Sequence, residues 1–145
     1  IFLVLLSLGY GVGQYAERRH YRSIIEREGR LNALPAIASR YPPTEPLYDH
    51  ALVIGSTVIS VDYFKRFLAA LRNFFGGRVT SYESLLDRAR RESLLRMKQQ
   101  AADLGAAMVF NIKYETASIS KGRGNTIGSI EVLAYGTALI EPRGR

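Results

Sequence analysis

The chain has 145 residues, of which 47% are hydrophobic, and it carries no cysteine and a formal net charge of +7. This length allows one domain plus an appended segment, and the hydrophobic share excludes wholesale disorder. The absence of cysteine excludes disulfides, zinc ribbons, iron–sulfur clusters and thiol catalysis. Because the positive residues are scattered rather than clustered with aromatic residues, we expect no nucleic-acid partner.

The N-terminal residues 1–16 are uncharged and mostly apolar. A membrane-spanning helix needs about 20 apolar residues, so we expect upstream residues to complete an uncleaved transmembrane anchor; a cleaved signal peptide is the alternative. Arg18, Arg19 and Arg22 follow the apolar run, and the positive-inside rule then places the soluble domain in the cytoplasm. The pattern predicts a single-pass protein of the inner (cytoplasmic) membrane, in contact with membrane lipid.

Two glycines of this run, Gly9 and Gly13, lie four residues apart. Small residues at this spacing let membrane helices approach closely, which predicts contact between copies of the chain. The helix is expected to continue to about Glu28, with Gly29 as its stop. Four prolines then forbid a continuous helix, at positions 35, 42, 43 and 46. The predicted division is residues 1–30 as transmembrane and juxtamembrane helix, 31–48 as proline-rich connector, and 49–141 as an α+β domain.

The first predicted strand covers residues 49–59, which are rich in β-branched side chains and contain Gly55 as a candidate bulge. Asp49 and His50, at its start, are the residues best suited to a metal site. Adjacent residues on a strand point to opposite faces, so an ordinary surface pair is the simpler interpretation.

Two helices are predicted next, at residues 62–75 and 80–105. The first carries four phenylalanines in one stripe, which indicates a core or a subunit interface. The second begins with a capping box, Thr80 and Glu83, and stops at Gly105. Its Leu94 and Leu95 fall outside the main apolar stripe. They predict a second packing partner such as another subunit; a wide core stripe is the alternative.

Two further strands are predicted at residues 106–118 and 127–140. The first alternates, with one apolar face at positions 108, 110, 112, 114 and 116. The second is apolar on both faces, so both faces are expected to be covered. The glycine-rich basic loop between them joins two strands and does not enter a helix, which favours a hairpin tip over a phosphate site.

The element order is strand, helix, helix, strand, strand, and three strands leave an exposed edge on each side of the sheet. Pairing of these edges around a closed ring of copies would protect them. The sequence therefore predicts an α+β domain that assembles into a closed ring of copies, preceded by a transmembrane helix.

Several separated motifs resemble the YbjQ-like family, which carries a heavy-metal-binding label. They are FFGGR at 74–78, Tyr82-Glu83, Ala89-Arg90, Leu104-Gly105-Ala106, Tyr114-Glu115 and Gly136-Thr137-Ala138. The resemblance covers about residues 50–140 and leaves the N-terminal run and the connector outside. It implies a dodecin-like α+β fold and a ring of copies, expected to be a pentamer, whose strands close into an oligomeric β-barrel ring. It implies no characterised activity.

Three functions follow as hypotheses. The first is a non-enzymatic, membrane-anchored homo-oligomer that acts as a scaffold or binds a partner or small ligand. The second is a heavy-metal-binding or metal-stress protein using His50, Asp49 and carboxylates such as Glu115 and Glu131 gathered across subunits; soft metals prefer thiolate or imidazole, and this chain has no cysteine and two histidines. The third, an enzyme, is disfavoured because no catalytic set, phosphate loop or metal-ligand motif is found, so no catalytic residue and no cofactor are assigned.

Overall fold

In the computed structural model, the described residues are 2–43, 48–60, 80–122 and 126–142. They form two helices and three strands, here called α1 (Phe2–Leu31), β1 (Asp49–Ser60), α2 (Thr80–Asp103), β2 (Ala106–Gly122) and β3 (Thr126–Ile140). The class is α+β, as predicted, whereas the helix predicted at 62–75 lies outside the described residues. The chain divides into two compact units, Ile1–Ala33 and Leu34–Arg145.

The first unit consists of α1, which runs through Gly29 and ends at Leu31. The prediction that Gly29 stops this helix is wrong, since Gly29 is not among the described residues with positive φ. The predicted transmembrane anchor is also wrong, because no described helix is long and apolar enough to cross a membrane. The uncharged run ends at Ala16, and the charged residues Glu17, Arg18 and Arg19 follow it. The predicted inner-membrane, single-pass localisation is overturned by the same finding.

The second unit contains an antiparallel sheet with the strand order β1-β3-β2. β1 pairs with β3 without interruption, from Asp49 opposite Ile140 to Ser60 opposite Ser129. The bulge expected at Gly55 is therefore absent from β1. β2 instead contains an extra residue, because its register against β3 shifts between Phe110 and Lys113.

The bulge in β2 is centred on Asn111, whose backbone has a positive φ of 53°. Asparagine tolerates this left-handed conformation better than most residues other than glycine. Before the bulge Val109 is paired with Ala138, and after it Tyr114 is paired with Ala134. The extra residue thus reverses the alternation, and the single apolar face predicted for positions 108 to 116 is divided between both sides of the sheet.

α2 lies across β1 at a point where the two backbones nearly touch. A Cβ built on Gly55 would lie 2.5 Å from the backbone nitrogen of Met97 and 3.0 Å from the Cβ of Arg96. It would also collide with the carbonyl oxygen of Ser93. Ser93 itself is fully buried, and its hydroxyl lies 2.7 Å from the carbonyl oxygen of Val132 on β3 and 2.8 Å from that of Ala89. Small residues on both elements therefore set this close packing.

The core of the second unit lies between α2 and the sheet. Its buried members come from every described element of the unit: Leu34, Val53, Met97, Ala101, Val109, Ala134 and Ala138. Burial of one such aliphatic side chain contributes about 1.5–3 kcal/mol, less for alanine. Because Val53 and Gly55 both face α2, the even-numbered residues of β1 lie on the opposite side of the sheet, here called the open face.

The outer edge of β2 is paired with the connector. Residues 35–39 run parallel to β2 and form a bridge between Ala36 and Val109. The amide of Ile37 donates to the carbonyl of Val109 at 2.9 Å, and the amide of Val109 donates to that of Pro35 at 2.9 Å. Two more amides, those of Asn111 and Ile112, donate to Ser39 and Ile37. The connector thus supplies a short extra edge to the sheet.

The outer edge of β1 is contacted by two side chains of α2 that lie one turn apart. The amide of Ile54 donates to Oε1 of Gln100 at 2.7 Å, and Nη1 of Arg96 donates to the carbonyl of Ser56 at 2.7 Å. Both edges are therefore engaged, over part of their length, by groups of the same chain. The predicted β-barrel is wrong, since the sheet is open and each edge forms hydrogen bonds within the chain that inter-subunit pairing would need to replace.

Candidate functional site

The open face of the sheet carries a row of exposed apolar side chains along β1. Leu52 is 64% exposed, Ile54 45% and Val58 57%. They alternate along the strand with residues that face α2, so all three project from the same side. A sheet with water on its second face normally presents polar residues there. The row therefore has the character of a contact surface.

The central strand continues this apolar surface. Tyr135 lies opposite Ile54 and Leu133 lies opposite Ser56 in the register of β1 against β3. Both side chains are half-buried. With the row on β1, they form a surface, here called the apolar patch, consisting of Leu52, Ile54, Val58, Leu133 and Tyr135.

One polar contact interrupts the apolar patch. The hydroxyl of Ser56 donates to the carboxylate of Glu131, which lies diagonally across from it on β3. The carbonyl of the same serine accepts from Arg96, whose Nε in turn lies 2.9 Å from Oε1 of Glu92. Arg96 is 54% exposed at its side chain while that of Glu92 is 5% exposed. The guanidinium of Arg96 therefore links the buried carboxylate of Glu92 to the edge of β1. The carboxylate of Glu131 lies beside the apolar patch as a hydrogen-bond acceptor.

Among the described residues, Tyr114, which follows the bulge in β2, has a shifted pKa. Partial burial raises the pKa of its phenol above the usual 10.0, and the positive charge of Arg90 on α2 offsets part of this by favouring the phenolate. Both groups lie on the α2 side of the sheet, because Tyr114 is paired with Ala134. Tyr114 is thus separate from the apolar patch.

The structure places the predicted metal residues at the beginning of β1. Asp49 and His50 are both exposed, and they lie opposite Ile140 and Leu139. Their side chains project to opposite faces, as expected of neighbours on a strand. Within residues 2–43, 48–60, 80–122 and 126–142, no three His, Cys, Asp or Glu residues come close enough to hold a metal ion. A metal site on a single chain has no support in this region, and a site shared between copies stays a prediction.

The four residues predicted to contact other copies fall into two groups. Leu95 is 3% exposed and Leu94 packs against the core, so both contribute to the fold of one chain, which is the alternative that the sequence left open. Gly9 and Gly13 are exposed on α1, with open space where a Cβ would lie. Their role in contacts between copies stays a prediction.

Two features of this surface were missed from the sequence: the capping of β1 by Arg96 and Gln100, and the strand pairing of residues 35–39. The four-residue spacing of Arg96 and Gln100 places both side chains on one side of α2. It does not show that a strand edge lies beneath them. The prolines predicted a connector without a continuous helix, but this does not identify a pairing partner.

Comparison with known proteins shows which family this chain resembles. A family model with the description "Putative heavy-metal-binding", of the YbjQ type, matches residues 47–141. A UPF0145 protein of Hahella chejuensis is 42% identical over 89 residues, which cover 61% of this chain and 80% of the relative. A UPF0145 protein of Thermus thermophilus is 40% identical over 92 residues, which cover 63% of this chain and 75% of the relative.

Solved structures also match. A crystal structure of a protein with unknown function from Pediococcus pentosaceus has 15% sequence identity and a TM-score of 0.44. The match covers 75% of this chain and 98% of that one.

Proposed function

We propose that this chain, which belongs to the YbjQ-type family with the heavy-metal-binding description, is a non-enzymatic homo-oligomeric scaffold. Its copies associate through the apolar patch. The observation that carries the proposal is the exposed row of Leu52, Ile54 and Val58 on the open face. The chemistry of this surface is that of a contact, since apolar side chains bind by excluding water and catalyse nothing.

The exposed row accounts for part of the free energy of association. Complete burial of one leucine, isoleucine or valine side chain contributes about 1.5–3 kcal/mol. The three residues are roughly half exposed, so covering them contributes about 1 kcal/mol each. In a ring, each patch meets a different surface of the next copy, and burial of that surface adds to this contribution. The loss of translational and rotational freedom costs at least about 4 kcal/mol, so we expect one contact alone to be weak and closure of the ring to strengthen it.

The edges of the sheet provide the second support. Strand-to-strand association at the middle of β1 would displace Gln100 and Arg96 from Ile54 and Ser56. The open face requires no such displacement. Association through a face also leaves each chain's own hydrogen bonds intact. The resemblance to the YbjQ-like family makes five copies the expected number, and a mass measurement decides it.

The test is native mass spectrometry of the full chain without added metal, together with light scattering over a range of concentrations. The test variant is Leu52→Glu, which places a charge at the most exposed position of the row. The matched control is Ala102→Glu, which adds the same charge at an exposed position on α2. Both positions are exposed, so neither substitution buries a charge in the fold.

We expect the unmodified chain and Ala102→Glu to form oligomers, and Leu52→Glu to weaken association at least tenfold, about 1.4 kcal/mol. A monomer at all concentrations in the unmodified chain would remove the proposal. Equal association of Leu52→Glu and Ala102→Glu would show that copies meet elsewhere.

A second candidate function is heavy-metal binding, favoured by the description of the matched family. The site would be shared between copies and would use His50 and Asp49, supplemented by carboxylates such as Glu115 and Glu131. Titration with zinc, copper and nickel ions tests this, with His50→Ala as the variant. Saturable binding that His50→Ala abolishes would support it, and the absence of saturable binding of all three ions would remove it.

A further inference from the structure

The pairing of residues 35–39 with β2 lies outside the part of the chain that the family shares. The family model matches residues 47–141 and so includes β2 but not this segment. Within one chain the segment lies along the edge that the matched region alone leaves without a neighbouring strand. The family domain here carries an added strand at that position.

The hydrogen bonds show how the segment is recognised. Both backbone groups of Ile37 form hydrogen bonds with β2: its amide donates to the carbonyl of Val109 at 2.9 Å, and its carbonyl accepts from the amide of Ile112 at 3.3 Å. The carbonyls of Pro35 and Ser39, two residues before and after Ile37, accept from the amides of Val109 and Asn111, each at 2.9 Å. The side chain of Ile37 is 37% exposed, so backbone pairing rather than deep burial of this side chain holds it. Such recognition by strand addition accepts any chain that presents the same alternating groups.

We propose that the edge of β2 is a strand-binding site, filled within one chain by residues 35–39 and able to take the same residues of a second copy when the chain's own segment is released. All four backbone hydrogen bonds form equally in either arrangement. The short link from residue 39 to β1 keeps the chain's own segment at a high effective concentration. The intramolecular arrangement therefore dominates in dilute solution, and the site opens only when that segment is displaced. This inference goes beyond the proposed scaffold, because it concerns an edge of the sheet and not the apolar patch.

The experiment uses the full chain in a Leu52→Glu background, so that association through the apolar patch does not contribute. Ile37→Pro removes the amide that donates to Val109. Ala38→Pro is the matched control, because the amides of alternate residues point away from β2 and proline is tolerated there. The probe is a fluorescent peptide of residues 34–41, LPAIASRY. Its binding is followed by anisotropy, and the amides of Val109, Asn111 and Ile112 are followed by hydrogen exchange.

In Ile37→Pro we expect these three amides to exchange about tenfold faster, as for the loss of one or two net hydrogen bonds. We also expect the peptide to bind Ile37→Pro at least about tenfold more tightly than Ala38→Pro and to restore the protection. Mixing Ile37→Pro with a chain that has Leu52→Glu alone should give mixed dimers at high concentration, whereas Ile37→Pro alone should give none.

Two results would overturn the proposal. One is faster exchange in Ile37→Pro without any binding of the peptide, which would show that β2 does not accept the segment from outside. The other is unchanged protection in Ile37→Pro. If Ile37→Pro fails to fold, Ile37→Gly keeps the amide and loosens the extended segment, and the same two criteria apply. Failure here leaves the comparison of Leu52→Glu with Ala102→Glu unaffected, so the two proposals are decided separately.

Discussion

Replacement of Gly55 by alanine should be among the most damaging single-methyl changes in this protein. The added Cβ would lie 2.5 Å from the backbone nitrogen of Met97, and ordinary contact begins at 3.4 Å, a shortfall of 0.9 Å. The contact to Ser93 is closer still and also involves backbone. Because no rotation of a side chain relieves either contact, α2 must move away from β1 as a body.

The cost of that movement has two parts. Overpacking of a dense core costs about 1–3 kcal/mol. A retreat of about 1 Å also stretches the buried contact between Ser93 and the carbonyl of Val132, now 2.7 Å, and an unsatisfied buried group costs about 1–3 kcal/mol. We therefore expect Gly55→Ala to lower the free energy of unfolding by about 2–6 kcal/mol, a large part of the stability of a typical domain.

Urea denaturation followed by circular dichroism measures this loss. The matched control is Gly29→Ala in α1, where a Cβ meets nothing within 4 Å. Alanine in a helix is favoured over glycine by about 0.5–1 kcal/mol, so the control should not be destabilised. A loss below about 1 kcal/mol for Gly55→Ala would mean that α2 does not approach β1 as closely as described.

Three further changes test other parts of the second unit. Thr57→Val should raise the free energy of unfolding by about 1 kcal/mol, because the buried hydroxyl of Thr57 has no hydrogen-bond partner among the described residues; a clear loss in urea denaturation would show that the hydroxyl is bonded. Gly105→Ala should cost about 1–2 kcal/mol by the same measurement, since Gly105 has φ +72° in otherwise open space; no loss would refute the strain. Tyr114 has a pKa raised above 10.0, so its stabilising effect is present below pH 10 and is lost as the pH rises through the folded-state value. The alkaline fall in stability should be shallower in Tyr114→Phe, and identical curves for the two chains would contradict this.

Much of the fold could be predicted from the sequence because its signals are local. The capping box and Gly105 predicted the helix from Thr80 closely, and it ends at Asp103. The strand at 49–59 was found from its β-branched residues and extends by one residue to Ser60. In each case neighbouring residues contain the physical cause, whether a cap, a stop or a side-chain preference.

The errors concern features that depend on distant parts of the chain. The sequence predicted a bulge at Gly55 because a glycine within a strand marks either a bulge or a close approach of another backbone. Only the position of α2 decides between these two. Pairing between the edges of different copies was inferred from unprotected edges, but Arg96, Gln100 and the connector already cover parts of both edges. Nothing in the local sequence of these groups reveals which strand they contact.

The membrane anchor failed for a different reason. The uncharged N-terminal run covers residues 1–16, fewer than the about 20 that a spanning helix needs, and charged residues follow it.

The candidate site could be predicted from the sequence only in part. The doubly apolar third strand predicted a covered second face, whereas Leu133 and Tyr135 are only half-buried on the open face. The exposed row on β1 was not singled out, because exposure is a property of the folded chain.

The extra residue at Asn111 allows β2 to accept a change of length without a change of surface. Residues 111 and 112 together lie between the pairs Phe110–Thr137 and Lys113–Tyr135, where β3 has one residue, Gly136. A related chain with a one-residue gap here would keep Lys113 opposite Tyr135, so every later side chain would stay on its present side of the sheet. A gap elsewhere in the strand would instead move the side chains that follow it to the opposite face. This position is therefore the place in β2 where related chains can differ in length and still present the same two surfaces.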